Sequence, residues 1–130
     1  MPVSIQGDTI ADFVVDAGTS GDWSYRLWKS GLAECWCKKT ISTAISTAWG
    51  SLFTSGNLTS ANLTFPFEFV EVPCVCISLS NNSSGALLMA PGGWGPATTT
   101  NTGSVELVRA VSNTTAANFI LNYQVNGRWK

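Results

Sequence analysis

The chain carries four thiols and eight carboxylates but no histidine. Without histidine, the Ser-His and Cys-His nucleophile systems and the commonest metal ligand are gone. A carboxylate pair facing across a cleft, as glycoside hydrolysis requires, is the acid–base arrangement left. Glu34, set among tryptophans, and Glu106, in mid-strand, are the candidates. The preferred reading is that Glu34 pairs with Arg26 or Lys29 across a hairpin as a cross-strand charge contact. The thiols come as two C-x-C pairs, Cys35/Cys37 and Cys74/Cys76. On a strand, each pair points to one face. Zinc ligands are usually spaced C-x2–4-C around a turn, and residues two apart on a strand are poorly placed for a mutual disulfide. All four are therefore expected to be small apolar core residues, with zinc and a cross-strand disulfide as the alternatives. No catalytic residue, metal ligand or cofactor is assigned.

Trp94 is the residue best suited to binding. It lies in Pro91-Gly-Gly-Trp94-Gly-Pro96, where nothing around it forms a strand core. A ring on a flexible loop, with Asn81 and Asn82 before it and Asn101 after it, supplies stacking and amide hydrogen bonds for sugar hydroxyls. The alternative is that Trp94 anchors the loop to the domain or to a neighbouring subunit, since loops serve both ends.

These residues need strands to hold them. Residues 23–36, WSYRLWKSGLAECW, alternate on both sides of a Lys-Ser-Gly turn. Trp23, Tyr25 and Leu27 share one face, and Ser24, Arg26 and Trp28 the other. This is a hairpin with aromatics on both faces, which points to a second cover such as another copy of the chain. Further strands are expected at 12–16, 41–49, 63–70, 74–80, 87–89, 104–111 and 119–125, with the hairpin arms at 23–29 and 33–40. A short helical turn over 41–48 is the alternative there. Residues 81–85 read as a turn, and 90–103 as a long loop. Many short strands with Gly-rich connections make an all-β, antiparallel β-sandwich. One domain is expected, residues 12–130, preceded by an extended connector over 1–11.

Composition narrows the partners. Charged residues are 12% of the chain and net charge is −1, about half the usual charged share for a soluble domain. Uncharged Ser, Thr, Asn and Gly supply the polarity, which suits oligomer interfaces. No basic patch favours nucleic acid. No apolar run is long enough for a membrane helix, and no secretion-signal pattern opens the chain.

Three segments carry a family resemblance. Residues 23–36 resemble the W-x-Y-R-K-W-x-x-G-x-A-E-C-W segment of phage and prophage tail-fibre and baseplate proteins of Gram-positive hosts, with Leu27 replacing the usual basic residue. Phe65-Pro66, followed by Phe69 and Pro73, resembles their F-P-x-x-F-x-x-x-P-x-V strand, and Gly127-Arg128-Trp129-Lys130 their G-R-W-K ending. The resemblance implies the C-terminal head of a longer virion protein at a tail tip or fibre, assembled in host cytoplasm. It implies a homotrimer that joins upstream tail or baseplate proteins and recognises a host cell-surface polysaccharide or other glycan. A reducing site of assembly also disfavours disulfides. The fold is similar, more distantly, to H-type lectins, although no sugar-contacting residue of theirs transfers to this chain. A purely structural trimerisation tip and a weak glycan hydrolase are the other classes.

Overall fold

A computed structural model describes residues 11–81 and 87–130. The strands are β1 (Val14–Ser20), β2 (Trp23–Trp28), β3 (Leu32–Ile45), β4 (Thr47–Trp49), β5 (Leu52–Thr54), β6 (Cys74–Asn81), β7 (Leu87–Pro91), β8 (Val105–Arg109) and β9 (Asn113–Arg128). They form two antiparallel sheets, ordered β1-β2-β3-β9-β6 and β4-β5-β8-β7. Among the described residues, the helical structure is one 3-10 turn at Thr59–Ala61. The expected all-β, two-sheet fold is what the chain adopts. Of the expected connector, only Ala11 falls within the described residues.

The aromatic hairpin forms in the register its alternation dictates, with Tyr25 opposite Cys35 and Arg26 opposite Glu34. Ala33, Cys35 and Cys37 point into the core, while Glu34 and Trp36 face outward and are half-buried. The residues expected at 41–49 are neither a separate strand nor a helical turn. β3 runs unbroken to Ile45 with an irregularity between Thr43 and Ile45, and the chain crosses to the second sheet at Ser46. Such kinks are the usual way a strand turns a corner between sheets.

β9 lies between β3 and β6. Phe119, Leu121, Tyr123 and Val125 alternate inward and are fully buried. Gly127 ends that inward series because a Cβ there would meet Phe69 Cδ1 at 2.7 Å and Pro73 Cβ at 2.9 Å.

Residues 63–70 are not a ladder strand. They make a single bridge, Thr64 to Asn101, and otherwise bond irregularly to the 98–102 loop through Phe65 N–H to Thr100 O (2.8 Å) and Phe69 N–H to Thr99 O (3.0 Å). Pro66 has no N–H to give a ladder. The alternation of Phe65, Phe67 and Phe69 is nonetheless real. All three rings turn to the core, with Phe65–Phe69 centroids 5.0 Å apart and Phe67–Phe69 4.8 Å. Each such ring contributes about 1.5–3 kcal/mol by burial. Two buried donors lock this segment down. Trp23 Nε1 donates to Thr64 O (2.8 Å), and the Tyr123 hydroxyl donates to Ala61 O (2.6 Å). Burial drives the Tyr123 phenol well above its ordinary pKa, so the hydroxyl stays a donor.

The cysteines divide. Cys35 and Cys37 are core residues as expected, and burial pushes their thiols up to about 12 and about 11. Cys74 and Cys76 are exposed, which corrects the expectation for that pair. Val75, Ile77 and Leu79 take the inward phase of β6. A period of two then puts both thiols outside, because the bulkier aliphatic set gains more from burial.

Asp12 ties the entry of β1 to the hairpin turn. One carboxylate oxygen accepts from Ser30 N–H (2.9 Å) and the other from the Ser30 hydroxyl (2.5 Å). The Ser30 hydroxyl bond is the main reason the Asp12 carboxyl lies below its ordinary 3.8.

Two outcomes follow. Cys35→Ser should destabilise by about 1–3 kcal/mol, through a buried hydroxyl without a partner. Cys76→Ser should stay within about 0.5 kcal/mol; paired denaturant melts read both. The stabilisation from the Asp12–Ser30 tie is full above the ordinary carboxyl value, because the folded pKa is the lower one. It should disappear as pH falls through that lowered value. The Ser30 amide resonance followed from pH 6 to 2 reads this directly, and Asp12→Asn should flatten the response.

Candidate functional site

The loop between β7 and β8 turns sharply, and its turn is fixed by β8. Gly92 (φ 77°) donates to Ser104 O at 2.7 Å. The Ser104 hydroxyl accepts from the backbone N–H of Trp94 (2.9 Å) and of Gly95 (3.0 Å), and Ser104 N–H donates to Gly95 O (3.0 Å). Gly103 (φ 90°) is required here, since a Cβ would meet Ala97 N at 2.8 Å in a backbone region that favours glycine.

Trp94 stands on this turn 63% exposed. Its indole N–H donates to Glu106 Oε1 (3.2 Å), and the second Glu106 oxygen accepts from the Thr54 hydroxyl. The ring is thus held at its edge by a carboxylate that is itself held from β5. A carboxylate retains lone pairs after two such bonds, so Glu106 can still accept from a hydroxylated ligand beside the ring. The loop that carries the ring is anchored by hydrogen bonds to Ser104 and Glu106. Gly and Pro here shape a tight turn, and Ser104, ten residues on, supplies the anchor.

Asn101 is half-buried at the Thr64 bridge. Its Oδ1 accepts from the Thr100 hydroxyl (2.8 Å), and its Nδ2 donates to the Thr64 hydroxyl (3.5 Å). Among the described residues, no hydrogen bond joins it to Trp94. Asn81 closes β6 opposite Phe119, while its side chain and all of Asn82 lie outside the described residues. Glu106, Ser104 and Thr54 complete the platform. The sequence marks Glu106 as out of phase with the buried Val105 and Leu107, but nothing in it links Glu106 to Trp94.

Glu34 and Glu106 lie in different sheets, and each is engaged. Glu34 accepts from Arg26 Nε at 2.7 Å and from Trp28 Nε1 at 3.4 Å. The Arg26 guanidinium in turn lies 5.0 Å over the Trp36 ring. The cross-strand pair anticipated for Glu34 is the one that forms.

No protein-family model and no curated protein matches the chain. Its fold is similar to a solved structure of the P. aeruginosa R1 pyocin fibre comprising C-terminal residues 323–701, with a TM-score of 0.51 and 16% identity. The match covers 86% of this chain and 27% of that one, so the chain spans about a quarter of the fibre fragment's length. At that identity the likeness is one of fold.

If Glu106 fixes the ring, Glu106→Ala should free the Trp94 indole while leaving the β8 backbone in place. The Trp94 indole N–H resonance, assigned by its absence in Trp94→Phe, should shift and broaden. Loss of stability should be about 1–3 kcal/mol, since the bonds from the Trp94 indole and the Thr54 hydroxyl are both lost.

Proposed function

We propose that this domain is a head of a tail-fibre-type assembly that binds a cell-surface glycan through Trp94. The fold likeness to a pyocin fibre supports the fibre role, and the tryptophan platform supports the glycan. The observation that carries the reading is a ring 63% exposed, hydrogen-bonded at its edge to Glu106 and carried on a backbone bonded to Ser104. A pre-positioned apolar plane with an acceptor at its edge suits the apolar face and hydroxyl rim of a sugar ring. Binding without catalysis fits the engagement of Glu34 and Glu106. Single-site affinity on such an open platform is about millimolar, near −4 kcal/mol. Several sites on one particle then raise avidity by orders of magnitude. A closed homotrimer on an upstream stalk, at the tail tip, supplies that multiplicity.

A structural tip without a ligand is the second reading. Phe13, with Val14 and Val15 at the start of β1, leaves an apolar edge on a strand whose residues are all exposed, and an assembly contact would cover it.

Pull-down on purified wall polysaccharide and whole cells, with Trp94→Ala beside the unmutated chain, separates the two. The glycan reading expects the variant to keep its fold and lose most binding, with Trp94→Phe intermediate. No binding by the unmutated chain to any glycan favours the structural tip. Unchanged binding by Trp94→Ala removes the platform from the site.

A further inference from the structure

On the outer face of the five-stranded sheet, at the end where the hairpin turn meets β9, lies a cavity of about 470 Å³. Trp28 and Leu32 form its apolar part, Ala33 and Gly127 contribute its floor, and Glu34, Asn126 and Arg128 bring polar groups to it. It is separate in sequence and in sheet from the Trp94 platform. We infer that this groove is a second ligand site, which takes an anionic sugar residue. The sugar ring would lie on Trp28 and Leu32, and its carboxylate or phosphate on Arg128.

Three features carry this. First, the apolar wall is open, with Leu32, paired with Arg128 at the start of β3, 50% exposed. Second, the two charges that line the groove, Glu34 and Arg128, are engaged differently. Glu34 is neutralised by Arg26 at 2.7 Å, whereas Arg128 has no ion pair among the described residues. Arg128 Nη2 donates only to a carbonyl, Ser30 O, at 2.7 Å, which leaves further N–H donors of its planar fork for an anion. The Asn126 amide, opposite Glu34 on β9, has no hydrogen bond among the described residues and is open to a sugar hydroxyl. Third, the guanidinium lies against the hairpin turn. Gly31 (φ 104°) vacates its place, since a Cβ there would stand 2.4 Å from Arg128 Nη2. Beside it, Trp129 fastens the strand end through Nε1 to Trp28 O (2.8 Å) and N–H to Gly31 O (2.9 Å). Pre-positioned donors lose less entropy on binding.

The ligand class rests on the glycan reading above, but the residues do not, so the two can fail separately. The test titrates the full chain with glucuronate, glucose 6-phosphate and glucose while following the tryptophan indole N–H resonances. Glucuronate or the phosphate should bind at about millimolar level, about tenfold tighter than glucose. The shift should fall on Trp28, weaken with added salt and survive in Trp94→Ala. Arg128→Gln should erase the preference for the anion. Asn126→Asp, which adds a negative charge without touching the turn, should weaken anion binding as well; melting curves confirm that both fold. Equal binding of glucose, an unchanged preference in Arg128→Gln, or shifts confined to Trp94 each overturn the inference. A preference for glucuronate over the phosphate, or the reverse, decides which anion the guanidinium reads.

Discussion

Two aromatic side chains that donate hydrogen bonds hold this fold together. The Trp23 indole and the Tyr123 hydroxyl reach from the inner face of one sheet to the carbonyls of Thr64 and Ala61, in a segment with almost no ladder of its own. Leaving the buried Ala61 carbonyl without a partner would cost about 1–3 kcal/mol. Meeting both carbonyls from aromatic rings satisfies polarity and fills volume in one stroke. The segment so fixed then bonds onward. Thr102 N–H reaches Leu63 O at 2.8 Å, and Gly103 N–H reaches Asn62 Oδ1 at 3.1 Å. Those residues run directly into Ser104 and Glu106. The orientation of Trp94 is thus inherited, through an irregular bridge, from the sheet on the other side of the core.

The regular parts of the molecule were legible because period-two alternation is read locally. The hairpin at 23–36 shows its register in its residues, and the inward phase of β9 shows in Phe119, Leu121, Tyr123 and Val125. Alternation does not say what a strand pairs with. Phe65, Phe67 and Phe69 alternate as a strand would, yet their backbone bonds to a loop. Nor does a period identify its inner phase when both phases are apolar. Cys74 and Cys76 compete with Val75 and Ile77, and the aliphatic pair wins. β5, at Leu52–Thr54, is too short to leave a pattern. Trp94 could be singled out by its surroundings, but its anchoring could not, because Ser104 and Glu106 reach it through tertiary structure.

Low charge has a structural meaning here. β9 presents Asn122, Gln124 and Asn126 along its outward face, and β6 sets Ser78, Cys76 and Cys74 opposite them in register. Such a surface is polar without being ionic, so covering it costs less desolvation than covering a field of lysines and glutamates. The same face can lie in water or against a hydroxyl-rich surface with little penalty either way. The few ions present are concentrated near the hairpin, where Arg26 and Glu34 cancel and Arg128 does not.

The position of β9 has a kinetic consequence. It is the last of the described strands to be synthesised, yet it sits between β3 and β6. Before it emerges, β2 and β3 can form their hairpin, but β6 has no partner in its own sheet. Closing the sheet means joining β3 to β9 across more than half the chain, a pairing of high sequence separation. Folds dominated by such contacts form in about milliseconds to seconds rather than microseconds. The nascent chain therefore carries Val75, Ile77 and Leu79 without their sheet partner until β9 has been made, and that interval is the stage at which this domain is most exposed to misassembly.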